Sequence, residues 1–189
     1  MAITYPTTLD AFTNPTALDL LTSPSHATQH ADINDAVEAL EAKVAIGNTV
    51  LGTYTAFTPS VTGVTLGNGT VSARYCQVNK YVHYWGRLAF GSTSSLSGGT
   101  INLAIPVLMQ TTFGTGTTGL PGGQVSYFDA SASNWYKGEA MTIAANDGFR
   151  LRSWVASGTA IVNTALSASA PFTWTTSDQI MWNLYYEAA

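Results

Sequence analysis

The most regular spacing of hydrophobic residues lies in residues 26–47. Four apolar residues step by four, three and four positions, which is the spacing of a coiled-coil seam: Ile33, Val37, Leu40 and Val44. The positions between them are mainly polar or acidic. The pattern predicts one short helix that Asp32 or Asn34 caps at its start and that ends near Gly47.

The apolar stripe of this helix must be buried against another surface, because isolated helices shorter than roughly 12–15 residues have marginal stability in water. One interpretation is an amphipathic helix that packs on its own domain. The other is a short bundle of identical helices from neighbouring subunits. We favour the bundle, since the flanking sequence offers no second helix, and we assign Ile33, Val37, Leu40 and Val44 to oligomerisation.

Residues 48–189 show the period of two that is typical of β-strands. Val82, Tyr84, Leu88 and Phe90 share one face of a run that follows a compact turn at Asn79-Lys80. In a later run Ile180, Trp182, Leu184 and Tyr186 face one way. Eight or so strands, with turn residues at intervals near ten, predict a mainly β fold in which residues 48–189 form a β-sandwich or jelly-roll head.

Residues 1–25 are predicted to form an extended arm. Pro6, Pro15 and Pro24 recur among Thr, Asn and Ser residues, which disfavours helix and favours extended or polyproline-like backbone. The interspersed Leu, Phe and Tyr residues are too apolar for a simple disordered tail. We therefore expect the arm to anchor the protein, on its own oligomer or in a groove of a larger assembly.

Composition and charge narrow the possible environments and partners. Charged residues make up 10% of the chain, against roughly 25% in typical soluble domains. The net charge is −4 and the seven Lys and Arg residues are scattered, so we expect no nucleic-acid partner. We also expect no signal peptide and no membrane insertion, since apolar runs of the required kind are missing. The single cysteine, Cys76, is expected to pack as a small buried residue.

Catalytic and metal-binding patterns are weak. His26 and His30 stand four residues apart, a spacing that can hold a metal on one helical face, but a third ligand would have to come from a symmetry axis. His83 is expected at the surface or in an interface. Asp129, Glu139 and Asp147 could in principle include a glycosidase pair, although their separation is not fixed by sequence. We expect no enzymatic activity and no cofactor.

Aromatic residues beside polar turns are the best candidates for a binding site. Rings next to Asn, Asp and Ser suit carbohydrate, because the ring takes the apolar side of a sugar and the amides take its hydroxyl groups. The alternative is that these rings fill the core. The candidate glycan-binding residues are Tyr127, Trp135, Tyr136 and Trp154.

The N-terminal sequence resembles that of many tailed-bacteriophage virion proteins. The resemblance covers about residues 4–47 and rests on three stretches: Tyr5-Pro6-Thr7-Thr8-Leu9-Asp10, Phe12-Thr13-Asn14-Pro15-Thr16, and the run from Ser23-Pro24-Ser25-His26 to Lys43-Val44. In those proteins such a segment joins an anchoring arm and a short coiled coil to a variable β head. The resemblance assigns no catalytic residue to this sequence.

What the resemblance implies is a homotrimer on the virion, assembled in the host cytoplasm. Its arm (1–25) would contact other virion proteins, its helix (26–47) would trimerise, and its head (48–189) would face outward. Two functions fit this arrangement. One is a short tail fibre or spike whose loop tips bind carbohydrate on the host cell surface. The other is a capsid decoration or head-fibre protein with an architectural or weakly adhesive role.

Overall fold

The computed structural model describes residues 26–44, 52–96, 99–110, 119–143 and 147–189. The chain divides into two units, residues 1–53 and residues 54–189. The predicted arm, residues 1–25, lies outside the described residues, as does Gly47. The second unit contains every strand that is described, and we call it the β domain.

The first unit contains a single described helix, α1 (His26–Val44). Asp32 and Asn34 are interior residues of α1, so the prediction that either caps its start is wrong. The residues from Ala27 to Ala31 contain no helix breaker, and the helix therefore continues back to His26, close behind Pro24 and Ser25. Among the described residues, no helix is long and apolar enough to cross a membrane.

The apolar stripe of α1 is open to solvent. Ile33 is 52% exposed, Val37 is 47% exposed and Leu40 is 50% exposed. The side chain of Val44 lies outside the described residues. The helix by itself therefore leaves these three apolar side chains about half exposed.

The β domain confirms the mainly β prediction. Its strands are β1 (Thr55–Phe57), β2 (Val61–Thr62), β3 (Val64–Thr65), β4 (Thr70–Val78), β5 (Tyr81–Ala89), β6 (Ser95–Leu96), β7 (Ile101–Ala104), β8 (Pro121–Asp129), β9 (Asn134–Thr142), β10 (Gly148–Ser157), β11 (Ala160–Ala165) and β12 (Gln179–Glu187). All described pairings are antiparallel. Ten strands form one sheet in the order β1-β4-β5-β12-β8-β9-β10-β7-β2, with β11 beside β10, and β3 pairs with β6.

This sheet is strongly curled. Tyr84 on β5 donates its hydroxyl to the carbonyl oxygen of Ala104 on β7 (3.2 Å), although four strands lie between them in the sheet order. The two ends of the order, β1 and β2, are joined by only residues 58–60. The predicted sandwich or jelly roll is not confirmed, because the strands follow one continuous path rather than two separate large sheets.

The inner face of the curl forms the hydrophobic core. Tyr84, Tyr127, Phe149, Leu103 and Leu184 are fully buried there. The Tyr127 hydroxyl donates a hydrogen bond to the carbonyl oxygen of Arg152 at 2.8 Å. Both buried tyrosine hydroxyls therefore have a backbone carbonyl oxygen as their hydrogen-bond partner. Burial raises the pKa of Tyr84 and of Tyr127 well above the ordinary value, which keeps both hydroxyls neutral.

The alternation predicted for β5 and β12 is confirmed. Val82, Tyr84 and Leu88 are buried on one side of β5, and Ile180, Trp182 and Leu184 are buried on β12. Cys76 is buried, as expected. Asn79, in the β4–β5 turn, has a φ of 54°, a conformation that asparagine tolerates better than most residues.

A buried carboxylate fixes the loop before β12. Asp178, which is fully buried, accepts hydrogen bonds from the backbone N–H of Ala130 (2.8 Å) and of Thr175 (2.5 Å). In the neighbouring turn, Asp129 accepts from Ser131 and Ala132. The hydrogen bond from the Ser131 hydroxyl is the largest cause that lowers the pKa of Asp129. Asp178 thus joins the β8–β9 turn to the loop before β12, while Asp129 stabilises the turn itself.

Replacing Asp178 by alanine should destabilise the β domain. The change leaves the backbone donors of Ala130 and Thr175 without their partner, and we expect the free energy of unfolding to fall by about 2–4 kcal/mol. Urea denaturation followed by tryptophan fluorescence measures this. Asp147→Ala, at an exposed aspartate, is the matched control and should stay within about 0.5 kcal/mol of the parent. Equal losses in both variants would contradict this role of Asp178.

Candidate binding face

The outer face of the sheet carries an open groove across β4, β5 and β12. Side chains that alternate with the buried ones project here, away from the core. The groove has a volume of about 860 Å³ and is lined by Ala56, Ser72, Ala73, Arg74, His83, Trp85, Gly86, Arg87, Met181, Trp182 and Asn183. We call it the outer groove.

Strand register brings the central residues of the outer groove into one row. Arg74 on β4 lies directly opposite Trp85 on β5, and Asn183 on β12 lies opposite Trp85 from the other side. Directly opposed residues of an antiparallel pair have their Cβ atoms about 4.5–5.5 Å apart. Arg87 follows Trp85 on the same face, roughly 6.6 Å along the strand. The exposed Trp85 is therefore flanked on this face by two arginine positions and one asparagine position.

Small residues on the inner side of these strands, beneath the row, leave room for the ring of Trp182. Gly86 faces inward between Trp85 and Arg87, opposite Ala73 on β4. A Cβ atom at Gly86 would lie 2.5 Å from the ring of Trp182 and 2.6 Å from the Cβ of Ala73. The Trp182 ring thus occupies the space that a side chain at position 86 would need, and it supports the floor of the outer groove.

A hydrogen-bond chain fixes the polar edge of the outer groove. In the tautomer that carries its proton on Nε2, His83 donates to Asn183 Oδ1 (2.6 Å) and accepts at Nδ1 from the Tyr54 hydroxyl (2.5 Å). The imidazole also stacks on Tyr185, with ring centroids 4.7 Å apart. Because its oxygen is engaged, Asn183 presents its Nδ2 donors to the groove.

Aromatic side chains continue beyond His83 on the same face. Tyr81 stacks on Tyr185 with ring centroids 5.9 Å apart, and Tyr54 meets the edge of Trp85 at 6.5 Å. Desolvation, followed by the effect of the Tyr185 hydroxyl, raises the pKa of Tyr81 above its ordinary value. The hydroxyl of Tyr81 is therefore neutral at physiological pH and able to donate or accept hydrogen bonds.

The four residues predicted to bind glycan are separated by the fold. Tyr127 is fully buried, so the prediction is wrong for this residue: it faces inward and packs against Trp174. Tyr136, opposite Tyr127 in the register, is half-buried against Phe172. Neither can present a ring face on the outside of the sheet.

Trp135 and Trp154 remain accessible. Trp135 is 55% exposed and packs on Phe128, with ring centroids 4.8 Å apart. Trp154 is 46% exposed, opposite Asn163 on β11. Neither lines the outer groove, so a role for them in glycan binding stays a separate prediction.

Sequence reasoning alone did not identify the residues of the outer groove as a site, because they lie in the middle of strands and not beside loops. The alternation that places His83 on the outer face also places Trp85 and Arg87 there. Arg74 lies opposite Trp85 across the hairpin turn at Asn79-Lys80, whereas Asn183 becomes recognisable only from the register, since it is distant in the sequence from both.

The histidine pair of α1 forms a contact of its own. His26 Nε2 and His30 Nε2 lie 3.1 Å apart, one as donor and the other as acceptor. No group of three or more His, Cys, Asp or Glu residues that could hold a metal occurs among the described residues. A metal at this pair would need ligands from elsewhere.

The acids considered for sugar hydrolysis do not line the outer groove. Asp129 is engaged in its turn. Glu139 accepts a hydrogen bond from the Asn163 amide on β11. Asp147 lines a smaller pocket of about 230 Å³ beside β2, β7 and β10. The outer groove itself offers an aromatic surface, Trp85, beside side chains that form hydrogen bonds.

Comparison of the chain with protein-family models, with curated proteins and with solved structures found no match.

Proposed function

We propose that this protein is a structural component of a tailed-bacteriophage virion. It forms a short homotrimeric fibre or spike, held to other virion proteins by residues 1–25 and trimerised through residues 26–47. The β domain faces outward and binds carbohydrate on the host cell surface through the outer groove. The resemblance of residues 4–47 to phage virion proteins supports the virion role, and the outer groove supports the binding role.

Trimerisation is supported by the exposed stripe of α1. Ile33, Val37 and Leu40 are each about half exposed in the single chain. Burying apolar surface contributes about 25 cal/mol per Å², so three copies of the stripe packed on one axis would stabilise each helix. His26 and His30 continue the same spacing toward the N-terminus and would meet their copies near that axis.

Carbohydrate binding is carried by one observation, the exposed indole of Trp85 in a row with Arg74 and Asn183. The ring face of Trp85 takes the apolar side of a sugar ring. The fixed Nδ2 group of Asn183 donates to a sugar oxygen. Polar groups of fixed orientation beside an aromatic platform are typical of small-ligand sites.

Weak single contacts become useful when three β domains act together. A dissociation constant near 1 mM corresponds to only about −4 kcal/mol. Linking several such sites raises the overall affinity by roughly 10²–10⁴ when the geometry allows them to bind at once. A trimer that presents three outer grooves would therefore attach to a polysaccharide that a single β domain barely holds.

A capsid decoration or head-fibre protein is the second candidate. The 19 residues of α1 span only roughly 28 Å at 1.5 Å per residue. So short a helix provides no long shaft between anchor and β domain, which suits a protein that covers a particle surface.

Leu40→Asp tests the trimer. The variant would place three carboxylates on the bundle axis, and we expect it to dissociate the oligomer while the β domain stays folded. Light scattering at micromolar protein should give three times the 19.9 kDa chain mass for the parent and one chain mass for the variant. Ala31→Asp, at an exposed position off the stripe, should remain trimeric. A monomeric parent would contradict the proposal, and an unfolded β domain in Leu40→Asp would mean that α1 packs on it.

Trp85→Ala tests the outer groove. Because Trp85 is exposed, the β domain should stay folded, while binding of the trimer to purified host-wall polysaccharide should weaken at least about tenfold through loss of the stacking surface. Biolayer interferometry measures this. Trp154→Ala, on the same outer face but outside the groove, is the matched control. Equal weakening in both variants, or none in Trp85→Ala, would reject the outer groove as the binding site.

Location on the particle separates the two candidate functions. Immunogold electron microscopy with antibody against residues 54–189 should label the tail end of the virion, because host attachment takes place there. Label over the capsid would favour the decoration or head-fibre role. Particles without label would contradict a virion role of either kind.

A further inference from the structure

We infer that the outer groove selects a saccharide that carries an anionic group, a carboxylate or a phosphate. This inference rests on the proposed carbohydrate-binding function and specifies its ligand class. Three features of the groove support it: its positive charge, its two arginines that have no hydrogen-bond or ion-pair partner among the described residues, and its excess of hydrogen-bond donors over acceptors.

The outer groove is positive on an otherwise acidic chain. The chain has a net charge of −4 with only seven Lys and Arg residues, yet two of the seven, Arg74 and Arg87, line this groove and no Asp or Glu does. On the same face, Glu139 is separated from Asn183 by Gln124 on β8 and is engaged by Asn163. Glu187 lies opposite Tyr81, which is four residues along β5 from Trp85. A local field of this sign attracts an anionic ligand.

Both arginines are free to bind. Arg74 and Arg87 are exposed, and within the described residues neither guanidinium forms a hydrogen bond or an ion pair. This contrasts with Arg152 on β10, whose guanidinium donates to the side chain and backbone of Asn163. A guanidinium group matches carboxylate and phosphate oxygens in a bidentate geometry that a neutral hydroxyl does not reproduce.

The central row of the outer groove offers donors rather than acceptors. Asn183 has its Oδ1 occupied by His83 and keeps only the donors of Nδ2. Arg74 and Arg87 carry donors alone. Neutral sugar hydroxyls are bound best by sites that both donate and accept, whereas an anionic substituent only accepts. The donor-rich arrangement around Trp85 therefore complements a sugar ring that bears a charged, acceptor-rich group.

The positions of the two arginines also fix where the charge would lie. A sugar ring stacked on Trp85 has Arg74 across the strand and Arg87 along it. A carboxylate or phosphate at the ring edge between them would be reached by both guanidinium groups, while Asn183 donates at the opposite edge. With two cations in one compact patch and a net negative chain, this geometry favours a single anionic substituent over a continuous track of phosphates.

The test compares three small sugars that share one ring: methyl glucuronide, glucose 1-phosphate and methyl glucoside. Each is titrated at millimolar concentration into the full chain, and binding is followed by NMR at the Trp85 indole N–H. We expect at least one charged sugar to bind about tenfold more tightly than methyl glucoside, with the difference shrinking at high salt. The comparison of glucuronide with glucose phosphate identifies the preferred anion.

Variants assign the preference to the two arginines. The double variant Arg74→Gln with Arg87→Gln should lose the tenfold preference but keep its weak binding of methyl glucoside through Trp85. Restoring both charges with Arg74→Lys and Arg87→Lys should recover only part of the preference, because lysine lacks the bidentate geometry. Lys137→Gln, an exposed cation of the same outer face outside the groove, is the matched control and should behave as the parent.

The outcomes separate this inference from the proposed function. Equal binding of all three sugars at Trp85 would overturn the anionic preference and leave carbohydrate binding in place. A preference that survives the double glutamine variant would overturn the role of the arginines. No response to any of the sugars would overturn both the inference and the proposed site. Tighter binding of a single-stranded oligonucleotide than of either charged sugar would overturn the saccharide class.

Discussion

The pairing of β5 with β12 determines both faces of the sheet at once. Nine residue pairs, from Gln179 with Ala89 to Glu187 with Tyr81, hold the two strands in register. On the inner side this register brings Tyr84 to Leu184 and Leu88 to Ile180, within the core. On the outer side it brings Trp85 to Asn183. A slip of one residue would exchange the two faces of β12, burying polar Asn183 and exposing Trp182. The core and the outer groove therefore depend on the same set of backbone hydrogen bonds.

The outer groove combines fixed and free side chains. Asn183 is held by His83, which is held in turn by Tyr54 and Tyr185, so its donors are oriented before any ligand arrives. Arg74 and Arg87 are exposed, and in the proposed function they would adapt to the ligand. Fixing a group in advance reduces the entropy lost on binding, while long cationic side chains contribute reach. This division of roles supports recognition of a ring and an attached charge at one place.

The mainly β fold and the buried faces of β5 and β12 can be predicted from the sequence. In a nine-residue strand with one buried face, the alternation of apolar and polar residues repeats often enough to be recognised. The two-residue strands β2, β3 and β6 contain too few positions for any period. The error at Tyr127 has a different cause. Tyr127 and Phe128 are neighbours on one strand and face opposite sides, as do Trp135 and Tyr136, so aromatic rings beside the same turn are divided between the core and the surface. Arg74 lies opposite Trp85 across the predicted turn at Asn79-Lys80. The position of Asn183 in the same row could not be predicted from the sequence, since it depends on a pairing between residues about a hundred positions apart.

The close approach of Gly86 to Trp182 has an evolutionary consequence. Any side chain at position 86 would collide with the indole or with Ala73, so position 86 can gain a side chain only if its neighbours change with it. Positions 74, 85, 87 and 183 point the other way and take no part in the core. Under the proposed function, substitutions at these exposed positions would alter what the surface recognises and leave the packing of the core unchanged. A lineage that carries this domain could therefore follow changes in its target by varying alternate positions of three strands, while the positions between them stay constant.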